Sequence, residues 1–369
     1  MGTPPLKGIS MKNKPTLIVL FGGVSSEHDA SCKSFENVNK RLISRKVKDN
    51  FSDIKIGFIN RAGKASITPH IPGQSVSYYQ KKSSDMEGPD VCKYLTRDNH
   101  FTFSLLHGQR GEDGCAQGLA EFLSVRGSFG SVLGCSLAMS KYHSNRFVSG
   151  TFKGLKVPKT IAITSLNETS SILKSWSEGS KIVIKPSSLG ASILTELLIA
   201  SKENMERING LISSILKYDK RALVQEFIAG EEYSCGCIER NGKVEVLPLI
   251  KISTDTGFFG HAEKHVAGKN SEVVIDEKHE TLIHKKIKRL SKLLFTDIGL
   301  RHMSRFDFRV DGEDIYFLEI NPLPGMMEGS LFPKMLNAKG LGVEDVILES
   351  YKNEASEQKK MTTFKYHID

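Results

Sequence analysis

The sequence predicts an α/β protein of two or three domains, its first part a parallel sheet and its later parts a mixture of sheets and helices. Three observations predict it. The continuous apolar run Thr16–Phe21 ends in Gly22-Gly23, as a buried parallel strand feeding a tight turn does. Strand-like and helix-like stretches then alternate up to about Gly134. Beyond that point the texture changes to strands ending in charged side chains, a glycine-rich loop and a hairpin at 305–321.

Residues 1–14 read as a disordered lead-in, without the apolar core of a signal peptide. After the first strand, Ser25–Ser31 predicts a helix start capped by serine or aspartate. Strands are predicted at Ile54–Ile59 and Phe101–Leu106. Glu112-Asp113-Gly114 opens a helix with Leu119, Phe122 and Leu123 on its apolar side. Next come a strand at Ile182–Pro186, the loop Ser187–Ser192, a helix at Met205–Leu216 and a strand at Ala222–Ile228. The polar, glycine-punctuated stretch Ser253–Ser271 is too long for a simple connection and has the length of a lid. In the following helix, 278–298, Ile283, Ile287, Leu290 and Leu294 form one stripe and the lysines the solvated face.

Composition narrows the function classes. Of 369 residues, 39% are hydrophobic and 25% charged, and no apolar run reaches the length that spans a bilayer. The net charge of +9 raises a nucleic-acid hypothesis, but no binding motif or aromatic interleaving accompanies it. A mild attraction for anionic substrates is what the charge implies. Six cysteines without Cys-x-x-Cys spacing fit a reduced, cytoplasmic protein. Cys235-Gly-Cys237 reads as alternate packing positions in a strand, with metal binding as the other reading.

The hairpin carries the chemistry. Arg305 and Asp307 alternate with period two, as do Glu319 and Asn321, so each pair points to one face of its strand. Asp311-Gly312 folds the strands together, and Pro322-Leu-Pro-Gly325 ends the second. A few hard oxygen ligands beside an arginine suit Mg²⁺ and a polyphosphate. Taken alone, a surface hairpin with charged outer positions is the commoner arrangement. Lys141, Lys185 and the Ser187–Ser192 loop, however, supply cations and backbone N–H groups for phosphates. A P-loop is absent, and Gly22-Gly23 departs from Gly-x-Gly-x-x-Gly, which disfavours an NAD-dependent oxidoreductase.

These residues lie within a wider resemblance. Leu20-Phe-Gly-Gly-Val-Ser-Ser-Glu-His, His107-Gly-Gln-Arg-Gly-Glu-Asp-Gly, Ala138-Met-Ser-Lys141, Val183-Ile-Lys-Pro-Ser, Phe227-Ile-Ala-Gly-Glu-Glu and Glu319-Ile-Asn-Pro-Leu-Pro-Gly occur in order. From about Leu17 to Leu336 the chain resembles the D-alanine–D-alanine ligases of the ATP-grasp superfamily. The resemblance implies an ATP-grasp fold preceded by a Rossmann-like domain. It divides the chain into an α/β substrate domain at 15–135, a central subdomain at 136–235 and a C-terminal subdomain at 236–369 with a lid at 253–271. It implies ATP-dependent joining of two D-alanines through an acyl phosphate, for peptidoglycan synthesis.

By the same resemblance Lys141, Lys185, Ser192 and the lid residue Lys264 meet ATP phosphates. Glu226, Phe227 and Ile228 hold the adenine, and Glu232 the ribose. Asp307, Glu319 and Asn321 ligate two Mg²⁺ ions, for which Mn²⁺ can substitute. Arg305 and the Gly325 N–H stabilise developing negative charge. Glu27 meets the first substrate's ammonium, Ser330 and Leu331 anchor the second's carboxylate, and His107 and His265 line the substrate site. A hydrogen-bonded structural histidine is the other reading of His107. A homodimer with no membrane or nucleic-acid partner is implied.

The chain also departs from the family. The usual Gly-Ser-Ser-Val-Gly phosphate loop is here Gly190-Ala191-Ser192-Ile193-Leu194. Ala191 and His265 replace a serine and a lid tyrosine that the family links to the glutamate at Glu27. Gln225 stands where a glutamate commonly begins the adenine hinge, and Met327-Glu328 replaces a small hydroxyl pair. His265 makes D-lactate an alternative second substrate, because a protonated imidazole disfavours an incoming ammonium. Leu194 and Ala191 would also suit a nucleotide-binding paralogue without ligase activity.

Overall fold

The computed structural model describes residues 14–82, 86–97, 99–254, 257–258 and 270–358. Three sheets organise them. The first has the order β3-β2-β1-β4, with β1 (Thr16–Gly22) between β2 (Asp53–Ile59) and β4 (His100–Ser104), both parallel to it. The antiparallel strand β3 (Ala65–Pro69) closes one edge. The run that predicted β1 is buried from Leu17 onward, as a parallel strand covered on both faces must be. The helix His28–Arg41 covers one face, its Phe35 ring stacked 4.0 Å from that of Phe21.

The second sheet is antiparallel, in the order β5 (Thr160–Ile163), β8 (Ala222–Glu226), β6 (Ser180–Pro186), β7 (Glu196–Ala200). The helix Met205–Leu216 seals it with Ile208, Leu211, Ile212 and Ile215. The third sheet, also antiparallel, runs β12 (Asn270–Val274), β11 (Ile250–Thr254), β9 (Glu231–Arg240), β13 (Met303–Asp311), β14 (Asp314–Asn321). A short β10 (Lys243–Val246) pairs with β9. Cys235 and Cys237 are fully buried on one face of β9. On the other, Gly236 lets Leu247, Phe332 and Met335 close in, where a Cβ would meet them at 2.9–3.1 Å.

Several expectations are refined. The helix predicted at 278–298 spans Leu282–Asp297 because Thr281 caps it, accepting the His284 N–H at 3.3 Å. Of the predicted stripe, Ile287, Leu290 and Leu294 are buried and Ile283 is half-buried. β4 and β8 end two residues earlier than expected. The first helix is preceded by Glu27, which makes no side-chain cap, rather than by a capping serine or aspartate.

The helix Cys115–Phe122 corrects the sequence reading more seriously. Leu119 is 51% and Phe122 86% exposed, while Gln117 and Ala120 are buried. Gln117 donates to the Gly111 and Phe129 carbonyls at 2.8 and 2.6 Å and accepts the Gly114 N–H at 3.0 Å. A side chain closing three backbone bonds turns its own face inward and rotates the leucine and phenylalanine outward. Among the described residues, no helix is long and apolar enough to cross a membrane.

Candidate active site

β13 and β14 pair so that Arg305 lies opposite Asn321 and Asp307 opposite Glu319, which brings the four predicted side chains to one patch. Arg305 grips Asp307 with two parallel bonds, Nε to Oδ1 at 3.0 Å and Nη2 to Oδ2 at 2.8 Å. Asn321 Nδ2 adds a third bond to Asp307 at 3.1 Å, and the Ser234 hydroxyl from β9 a fourth. Burial works against the Arg305 charge, but Asp307, with Glu319 and Glu232, raises its pKa. Lys141 reaches the same patch from a helix packed against β14, its Nζ 3.5 Å from Glu319 Oε2 and 2.8 Å from the Leu189 carbonyl.

Lys141 opens the helix Lys141–Thr151, and Lys185 lies near the end of β6; both are 9% exposed. With Ser192, Glu226, Phe227, Ile228, Glu232, Arg305, Asp307, Glu319 and Leu331 they line one cleft between the second and third sheets. Gln225 is buried and donates to Thr160 Oγ1 at 2.9 Å. Lysines beside carboxylates in one cleft suit a polyanion carried with a divalent cation. Among the described residues, no group of three or more His, Cys, Asp and Glu side chains is arranged to hold a metal. Two carboxylates and an amide are nevertheless a donor set that Mg²⁺ accepts when phosphates and water complete its shell.

The 190–194 loop is the unusual wall. Ala191, Ser192 and Leu194 all have positive φ, at 52°, 55° and 51°. Leu194 thus adopts the backbone for which a glycine is suited. The loop touches the N-terminal part through Glu27. A Cβ on Gly190 would lie 2.5 Å from Glu27 Oε1, and one on Gly108 2.7 Å from it. The Glu27 carboxylate is therefore seated between two glycine backbones.

His107, Gly325 and Ser330 lie outside this cleft wall. His107 is buried, with Nε2 3.0 Å from Ser34 Oγ and Nδ1 3.9 Å from Glu112. Glu112 accepts the Gly108 N–H at 2.6 Å, and both it and His107 hydrogen-bond the Leu323 backbone. Ser34 also accepts the Met326 N–H at 3.1 Å, and Asn37 donates to the Met326 carbonyl at 2.8 Å. The segment around Gly325 is thus tied from behind. Burial, with Glu27 nearby, pushes the Glu112 carboxyl up to about 8; burial pushes His107 down to about 4. Ser330 precedes the helix Leu331–Ala338, whose first N–H groups can take a carboxylate. Lys264 and His265 lie outside the described residues.

Two residues here escape the sequence reading. Arg309 continues the Arg305/Asp307 alternation on β13, so the period-two pattern already contained it. Glu112 was read only as a helix opener; its burial has no local sequence signal.

Family models described as D-ala D-ala ligase N-terminus and C-terminus match residues 16–128 and 154–350. A D-alanine–D-alanine ligase of Pelotomaculum thermopropionicum is 30% identical, over 89% of this chain and 93% of its own length. One from Legionella pneumophila is 28% identical, over 92% and 94%. The VanG D-Ala:D-Ser ligase of Enterococcus faecalis superposes with a TM-score of 0.71 at 22% identity, over 92% of this chain and 99% of its own. The Bacillus anthracis D-alanine–D-alanine ligase complexed with ATP gives 0.66 at 22% identity, over 93% and 99%. The fold they share is the ATP-grasp fold.

Proposed function

The chain belongs to the D-ala D-ala ligase family, and from that premise we propose that it joins two D-alanine molecules at the expense of ATP, in the cytoplasm, for peptidoglycan synthesis. The observation that carries this reading is the cleft itself, which Lys141, Lys185, Asp307, Glu319 and residues of the 190–194 loop line together.

Lys141, Lys185 and Ser192 hold the ATP phosphates, with Lys264 reaching them from the lid segment. Glu226–Ile228 hold the adenine and Glu232 the ribose. Asp307, Glu319 and Asn321 would hold two Mg²⁺ ions, or Mn²⁺ in their place, which neutralise charge on the triphosphate. Glu27 binds the ammonium of the first D-alanine, whose carboxylate attacks the γ-phosphorus and displaces ADP. The amine of the second D-alanine, its carboxylate at Ser330 and Leu331, attacks the acyl carbon and expels phosphate. Arg305 and the Gly325 N–H take up the negative charge that develops. His107, tied to Ser34 and the Leu323 backbone, shapes the substrate site from behind. A homodimer is part of the proposal, with the exposed Leu119, Phe122 and Leu133 as its candidate contacts.

The test is D-alanine-dependent ADP release with mass spectrometry of the product. No release across a range of D-amino acids would overturn the ligase reading in favour of a nucleotide-binding paralogue. His265 in the lid segment favours a second reading, D-alanine–D-lactate ligation. Comparing D-alanine with D-lactate between about pH 6 and 9 decides it, and absence of any ester product at the acid end would overturn the second reading.

A further inference from the structure

Arg309 has the strongest set of contacts in the cleft that no role accounts for. It is 5% exposed, a burial that an arginine tolerates only when its donors are satisfied. Nη1 donates to the Ile228 carbonyl at 2.9 Å. Nη2 donates to Glu232 Oε2 at 3.0 Å and to the Gly257 carbonyl at 2.6 Å. The guanidinium carbon lies 5.1 Å from the centroid of the Phe227 ring, which fixes the plane of the fork.

These contacts join separate stretches of chain. Ile228 follows β8 of the second sheet, Glu232 is the second residue of β9 of the third, and Gly257 lies beyond β11. Only a planar group with several fixed donors can hold acceptors from three directions at once; a lysine ammonium on a flexible stem holds them far less rigidly. The contacted residues are those to which the ATP reading assigns the nucleoside, while the phosphate lysines and the carboxylates touch other parts of the cleft.

We propose that Arg309 is the positioning residue of the nucleoside end of the cleft. It clamps the Ile228 carbonyl and the Glu232 carboxylate at a fixed separation, so that the base and ribose of an adenine nucleotide enter a preformed frame. Removing the clamp weakens nucleoside recognition without touching the reacting atoms. The inference rests on the ATP-dependent reading of the cleft.

The experiment measures ADP and inorganic tripolyphosphate binding to the full chain by calorimetry, together with steady-state kinetics, for the parent, Arg309→Met and Arg309→Lys. Arg309→Met is expected to weaken ADP by about tenfold, because the Ile228 carbonyl and Glu232 are no longer held ready for the ligand, while tripolyphosphate binding stays within about threefold. The KM for ATP rises, whereas kcat and the KM for D-alanine hold. Arg309→Lys keeps the charge and recovers part of the ADP affinity, and it serves as the decisive variant if Arg309→Met does not fold. Unchanged ADP affinity in a folded variant overturns the inference, as does an equal loss for ADP and tripolyphosphate. A parent chain that binds no ADP overturns the ligase reading and this inference with it.

Discussion

The two walls of the cleft are built in opposite ways. On the hairpin wall, Asp307 receives four donors from three strands, and Arg305, Asp307 and Arg309 follow one another on a single face of β13. Facing it, the 190–194 loop holds three non-glycine residues at positive φ. The hairpin is fixed by paired charges within a sheet, whereas the loop keeps its shape against its own backbone preference. Chemistry that develops charge needs the first kind of wall, and a loop that, as proposed, meets phosphates with its backbone tolerates the second. Each substitution below acts on one wall or on the contact that joins them.

The largest effect belongs to Asp307→Asn. It keeps the shape, removes the charge, and leaves the Arg305 guanidinium 15% exposed without its carboxylate. ADP release should fall on the order of 10³-fold, the scale of losing a group that organises transition-state charge. A variant retaining about a tenth of the parent rate would mean that the hairpin wall is scaffold rather than site.

Gly190→Ala tests the seam between the loop and the N-terminal part. Gly190 is not in the positive-φ region, so an added methyl strains no backbone; its obstacle is Glu27, 2.5 Å away. The carboxylate must shift, and the KM for the first D-alanine should rise about tenfold while ATP binding holds. Equal changes in both constants would show that the loop, not Glu27, had moved.

How much of this was legible in sequence follows from the same contrast. β1, β6 and the hairpin announced themselves through period and apolar runs, because a strand's faces are written in its alternation. Arg305, Asp307, Glu319 and Asn321 were legible together for that reason, and Arg309 was one step further along the same pattern. The Gln117 face of the helix Cys115–Phe122 was not legible, since a buried glutamine looks like a surface residue until its three backbone partners are known. Nor was the Glu112–His107 pair, whose environment depends on Leu323, more than two hundred positions away.

That pair supports the hairpin wall from behind and gives it a pH signature. Glu112 rises from 4.5 to about 8 on folding, so the folded chain holds a proton that the unfolded chain releases. Its contribution to stability is full below about pH 4.5 and is lost as pH rises through about 8. His107 falls from 6.5 to about 4, so its contribution is full above about pH 6.5 and is lost as pH falls through about 4. Between about pH 6.5 and 8 only the Glu112 slope of this pair remains. Glu112→Gln, which mimics the protonated form, should therefore flatten the decline of stability across that window. Parallel urea titrations of parent and variant check it, and parallel slopes would mean that Glu112 is ionised throughout.

The smallest effect probes the strained wall directly. Ala191 at φ 52° carries a left-handed backbone, and its methyl is the least side-chain packing that a non-glycine residue can bring. Ala191→Gly removes the steric penalty of about 1 kcal/mol and adds unfolded-state entropy of similar size, so stability should change by less than about 1 kcal/mol. Leu194→Gly meets the same backbone term at φ 51°, but Leu194 also packs against the core of the second sheet. That variant should be the less stable of the two, by about 1 kcal/mol or more for the buried part of a leucine. Denaturant midpoints give the comparison. If Leu194→Gly proves the more stable, the loop is held by its surroundings against severe strain, and the packing of Leu194 contributes little to its shape.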